Sequence, residues 1–396
     1  VYARLGLYDD ALPRLERALE LVLARIHGAE EEIEARVRLA DLCVSQVDLD
    51  RAEDVLGPVQ GILSSHTGVA PQHAAQGLGS IGRLQMMRGD LVAAEESLTR
   101  AIELAERELG PDSALVGDLL NDRLSVFEEQ KMWDLAIADG RRAVAIREHH
   151  HGPDDPRVAT TLNNLLLALR GSGELEEAAA MGERVLEHRE RTLGRHHLRT
   201  GTALNNLAIV YARMGRHDRA EELYLRSLDI RVALFGEDHP RVATVHCNLA
   251  HVYLERGDLD RAEEAYRRAL EISRATLGPD HPITGTAHGG LANVARARGD
   301  QEQFVLLAKE ELRIREAAHG ASSPGLIGVL REIGASQIVL ARYDRAEANL
   351  ERARRIAVEA YGEGDDQVAR IDVLLTTLAE SRRGAATALA GDRSSR

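Results

Sequence analysis

The chain has 396 residues, with 50 basic and 64 acidic side chains and a formal net charge of −14. That balance, with no compact Lys/Arg patch, argues against nucleic acid as a partner, because phosphate affinity rests on clustered cations that displace counterions. Aromatic residues are 3% of the chain against 44% hydrophobic, so the apolar mass is Ala and Leu rather than the large rings of ordinary globular cores.

The elements follow from an internal period. Gly28 is followed 40 residues later by Gly68, and glycines then recur every 42 residues at Gly110, Gly152, Gly194, Gly236, Gly278, Gly320 and Gly362. A second column, Gly89, Gly173, Gly215, Gly257 and Gly299, with Lys131 and Ala341 in the same slot, divides each repeat into two segments. Segments of about 17 and 20 residues suit helices and are too long for strands. Within them apolar residues keep helical spacing, as in Leu204, Leu207, Ala208 and Tyr211, then Ala220, Tyr224, Ser227 and Leu228. The pattern predicts an all-α chain of about nine amphipathic helical hairpins, stacked as an α-solenoid.

Small residues mark where paired helices meet. Ala11, Ala52, Ala94, Ala136, Ala178, Ala220, Ala262 and Ala346 share one position of the second helix, and Phe304 breaks that column. Ala40, Gly82, Ala208, Ala250, Ala292 and Gly334 share one position of the first. Linkers such as Gly236-Glu-Asp-His-Pro240 combine a glycine stop, a capping side chain and a proline at the first helical position. One array is expected over 1–383, opening inside a first helix. The Ala-, Ser- and Arg-rich stretch 384–396 is expected to fray, and a start at Val1 without Met suggests a piece of a longer polypeptide.

The segment Ala203-Leu-Asn-Asn-Leu-Ala-Ile-Val-Tyr211, then Gly215, Ala220-Glu-Glu-Leu-Tyr224 and Leu234-Phe-Gly-Glu-Asp-His-Pro240 resembles the tetratricopeptide repeat family, in its 42-residue kinesin light chain type. The resemblance is strongest from 110 to 300 and covers nearly the whole chain. Arg123 in the apolar column headed by Leu207, Phe304, and Gly289-Gly290 where neighbouring repeats carry Asn are departures from the pattern. The resemblance implies a right-handed superhelix whose first helices, near 156–171, 198–213 and 240–255, line a concave face that takes a peptide or protein partner. It also implies a bacterial protein without enzymatic activity. An alternative is the sensor or scaffold arm of a larger signalling protein, lying behind a Ser/Thr kinase or regulator domain.

The groove columns can be read on that basis. Asn121, Asn163 and Asn205 fall in one column with Cys247, and Asn164, Asn206 and Asn248 in the next with Asp122. An Asn amide both donates and accepts, so it can pair with the backbone of an extended ligand whatever its side chains. The same amides can instead bond neighbouring helices as a structural ladder. Thr160, Thr202, Thr244 and Thr286 lie one turn earlier, while Ile209, His251 and Asn293 lie one turn later, where selectivity would arise.

No catalytic, cofactor or metal motif accompanies them. Gly77-Leu-Gly79-Ser-Ile-Gly82 spells the dinucleotide fingerprint, but it falls in phase inside a first helix, with no preceding strand and no acidic residue at the required distance. His149, His150 and His151, like His196 and His197, sit in linkers, where consecutive side chains diverge and make a poor metal cage. His239 and His281, each before Pro, read as capping or linker residues, and His246 and His288 as satisfied core histidines. Cys43 and Cys247 make neither a disulfide framework nor a metal quartet. With no leader and no run long enough to span a bilayer, the expectation is a cytoplasmic chain with no membrane partner.

Overall fold

The computed structural model describes residues 8–24, 28–65 and 69–394. They form α-helices with one short 3-10 turn at Pro324–Leu326, and no strand occurs among the described residues. Two compact units divide the chain, 1–195 and 196–396.

The first unit holds α1 (Tyr8–Ala24), α2 (Ala29–Ser45), α3 (Leu49–Ser65), α4 (Pro71–Met87), α5 (Leu91–Leu109), α6 (Ala114–Glu129), α7 (Trp133–His151), α8 (Pro156–Ser172) and α9 (Leu175–Leu193). The second holds α10 (Leu198–Arg213), α11 (His217–Phe235), α12 (Pro240–Glu255), α13 (Leu259–Thr276), α14 (Pro282–Ala297), α15 (Gln301–His319), α16 (Ile327–Val339), α17 (Tyr343–Tyr361) and α18 (Asp366–Ser394). Even-numbered helices are the first helices of the repeats and odd-numbered ones the second. Paired helices pack on each other and hairpins on their neighbours within each unit, the nearest-neighbour pattern of an α-solenoid. The earliest described helix, α1, has second-helix phase, and the expected opening first helix lies outside the described residues. At the other end α18 runs on through Gly384, across an Ala-rich stretch of high intrinsic helix propensity.

The small-residue columns are the hairpin contacts. Ala52, Ala94, Ala136, Ala178, Ala220, Ala262 and Ala346 are fully buried, as are Ala40, Ala208 and Ala250. Phe304, in the same column, is buried in one cluster with Ala292, Ala295 and Ala308, whose short side chains leave room for the ring. Asp or His side chains supply caps: Asp155 accepts from the Arg157 amide, and Nδ1 of His197, His239 and His281 accepts from the amide two residues on, at 3.1, 3.1 and 3.2 Å. Hydrogen bonding to Arg157 also holds the Asp155 carboxyl down at about 2, against a smaller opposing effect of burial.

The hairpin-turn column adopts φ > 0 throughout. Gly89, Gly173, Gly215, Gly257 and Gly299 have φ between 72 and 93°, and Val47, Lys131 and Ala341 take the same slot at 62, 61 and 55°. Val47 is a further member that composition hides, because a β-branched residue rarely adopts this conformation. Replacing Val47 with Gly is therefore expected to stabilise the chain by about 1 kcal/mol, the relief of left-handed strain exceeding the added unfolded-state entropy. A shift of the urea midpoint to higher concentration checks it; no shift would mean that the turn carries no strain.

Candidate functional site

The structure separates the two Asn columns. In the first unit Asn121 is buried, and its Oδ1 accepts from Asn164 Nδ2 at 3.3 Å. In the second unit Asn205 is buried, and its Oδ1 accepts from Asn248 Nδ2 at 3.1 Å. These bonds join positions 43 residues apart, so the second-column amide of one repeat rests on the first-column amide of the repeat before. Asn121 and Asn205 thus belong to a structural ladder. Asn163, Asn164, Asn206 and Asn248 remain half-buried.

The threonines are partly engaged. Thr160, Thr202 and Thr244 each donate to the carbonyl four residues earlier, at 3.0, 3.2 and 3.3 Å, leaving their oxygens as acceptors. Asn293 Oδ1 accepts from Arg296 at 2.9 Å, while Ile209 is half-buried and His251 exposed.

Three of these residues share a cavity. In the second unit Ile209, Asn248 and His251 line a hollow of about 430 Å³ with Arg213, His217 and Glu255. In the first unit a hollow of about 600 Å³ is lined by Asn164 with Leu167, Glu128 and Glu129, and the end of α4. The sequence reading missed Glu129, Arg213 and Glu255, although each lies one helical turn beyond Ser125, Ile209 or His251 on the same face, and following the columns one turn further would have reached them.

Earlier in the first unit the second column is closed by ions. Arg83 reaches Asp122 at 2.8 Å and Asp41 at 2.6 Å, joining α2, α4 and α6. Burial alone would lower the Arg83 pKa; the facing Asp122 and Asp41 carboxylates outweigh it and raise the value.

Other features resolve into packing. A Cβ on Gly77, Gly79 or Gly82 would meet Val59, Leu119 or Leu98 at 2.9, 2.5 and 2.7 Å, so the glycine-rich stretch is a close helix crossing with no room for a nucleotide. At Gly289 and Gly290 the space of the missing side chains is filled by the Glu311 carboxylate and the Tyr266 ring. His150 Nε2 lies 2.6 Å from the Asp112 carbonyl. His246 and His288 are both half-buried, with pKa lowered by burial. The expectation of satisfied histidines fails at His288, whose buried Nδ1 has no partner among the described residues. Burial drives the Cys247 thiol up to about 12, so it stays protonated and inert as a nucleophile.

The tetratricopeptide repeat family model matches residues 73–149, 125–191, 157–231, 199–275 and 241–317, together more than half of the chain. The chain belongs to the tetratricopeptide repeat family. Its glycine columns repeat every 42 residues. No curated protein matches this tetratricopeptide repeat chain.

Among solved structures it is similar to the apo quorum sensor NprR from B. thuringiensis, with 13% identity, a TM-score of 0.67, and coverage of 89% of this chain and 94% of that one. A Rap protein complexed with Competence and Sporulation Factor gives 15% identity, a TM-score of 0.57, and coverage of 91% and 99%. A Podosopora anserina protein named for kinesin light chain, with nearly identical TPR-like repeats, gives 21% identity, a TM-score of 0.44, and coverage of 50% and 95%. The first two support the fold. Among the described residues no helix is long and apolar enough to cross a membrane.

Proposed function

We propose that this tetratricopeptide repeat chain is a non-enzymatic interaction module that binds an extended peptide of a partner protein along its first helices. The observation that carries the reading is the convergence of Ile209, Asn248 and His251, from α10 and α12, on one cavity. Adjacent helices stand roughly 10 Å apart and an extended strand advances about 3.3 Å per residue, so each first helix would meet about every third ligand residue. Asn164, Asn206 and Asn248 hold the ligand backbone in this scheme, with Asn163, Ile209, His251, Asn293 and the Thr160, Thr202 and Thr244 oxygens reading its side chains. Asn121 and Asn205 support them from below.

The family model's 157–231 segment spans the boundary between the two units, which supports one repeat array over 1–383. Relatives of the same fold include a sensor and a protein held with a named factor; these support placing the module as the sensor arm of a larger signalling protein. The free, buried Cys43 and Cys247 suit a reducing cytoplasm.

A displayed library of short random peptides tests the groove. Selected peptides should lose about tenfold or more in affinity when Asn206 and Asn248 are replaced together by Ala, since each loss strands ligand backbone groups, while the helical circular dichroism stays unchanged. Equal affinity in the folded double variant would reject the groove.

A further inference from the structure

The cavity of the first unit has a chemistry that the second lacks. Its lining combines the apolar Met86, Leu91, Leu124 and Leu167 with Glu128, Glu129 and Asn164. The helices α4 and α6 both end here, at Met87 and Glu129, which adds the negative ends of two helix dipoles. Neither carboxylate forms a salt bridge among the described residues. Arg88 lines the cavity too, but its guanidinium is spent on Asp50 and Glu53, at 2.8 and 2.6 Å.

Burial raises the Glu128 pKa and the neighbouring Glu129 raises it further, with Arg170 offsetting part of the effect. A carboxylate without a salt bridge beside an apolar hollow is the complement of a side chain with an aliphatic stem and a cationic head.

Resting on the peptide-groove reading, we propose that this cavity takes a Lys or Arg side chain of the bound peptide. The stem lies on Met86, Leu91, Leu124 and Leu167, the cation meets Glu128 and Glu129, and Asn164 pairs with the ligand backbone beside it. The cavity thereby fixes the register of the peptide and selects against acidic residues at that position, where like charges would face each other.

The test uses the full chain and the selected peptides. Positional substitution should reveal one basic position; replacing it with norleucine should weaken binding about tenfold or more, and the loss should shrink as salt is raised. Glu128→Gln with Glu129→Gln should weaken the basic peptide by a similar factor while leaving the norleucine peptide unchanged. Glu128→Lys with Glu129→Lys should invert the preference, favouring a Glu at that position, which a folding defect could not produce. Peptides that bind through Asn164 but carry no basic position, or whose binding ignores both Glu pairs, would overturn the cation pocket and leave the groove standing. Failure to select any peptide would overturn both.

Discussion

Asp139→Ala is expected to cost the chain about 3–5 kcal/mol, the penalty of a buried charge left alone. Arg123 stands where the repeat pattern places Leu. Its Nε and Nη2 donate to the two Asp139 carboxylate oxygens at 2.7 and 2.9 Å, and Nη1 donates to Thr99 Oγ1 at 3.1 Å. The guanidinium also lies 5.4 Å from the Phe127 ring centroid. Both side chains are largely enclosed, 18% and 11% exposed, so solvent does little to screen the pair and would do little to replace a lost partner.

The repeat itself supplies the control. Two repeats on, the positions of Arg123 and Asp139 are Leu207 and Leu223, both 0% exposed. Changing Arg123 and Asp139 together to Leu therefore installs a pair that this fold already packs, and the double variant should lie within about 1 kcal/mol of the parent or above it. Urea unfolding followed by helical circular dichroism separates the outcomes. Because a repeat stack can unfold in parts, the early transition is the one to compare. A single variant that costs under about 1 kcal/mol, or a double variant as weak as the single, would show that the pair is not energetically coupled.

The period, the hairpins, the Ala columns and the His caps were legible because each is a local rule repeated at fixed spacing: a glycine at a turn, a small residue at a crossing, a side-chain acceptor two residues before an amide. Contacts between helices were less legible. The partner of Arg123 lies 16 residues away on the other helix of its hairpin, and no periodicity points to it. Likewise the Asn columns did not show their division of labour, since the amide ladder runs at a spacing of 43 rather than 42 and buries Asn121 and Asn205. Glu128 and Glu129 were passed over because they follow the last reading position by one turn, close to the helix end where a charged residue usually means only a solvated cap.

The second large effect follows from a complementarity across the hairpin that becomes visible once the helices are paired. Gly82 faces Leu98, whose Cγ would lie 2.7 Å from an added Cβ, and Gly334 faces Leu350 at 2.6 Å. One repeat after Gly82 the assignment reverses: Leu124 faces Gly140, with Cδ1 at 2.7 Å from the added Cβ. The same positions read Leu166 and Gly182 in the next repeat, then Ala208 with Tyr224 and Ala250 with Tyr266. One large and one small residue fill each of these crossings, and either helix can carry the large one; at Ala292 and Ala308 both are small, and the Phe304 ring packs in the same cluster. Gly82→Leu should then overpack the crossing at a cost of about 3 kcal/mol. Leu98→Gly should open a cavity and loosen α5, at about 5 kcal/mol. Made together they recreate the Leu124–Gly140 arrangement, and the double variant should recover more than half of the summed loss, a coupling that two independent defects could not show. Additive losses in the urea midpoints would mean that the crossing is set by backbone geometry particular to each repeat rather than by shared volume.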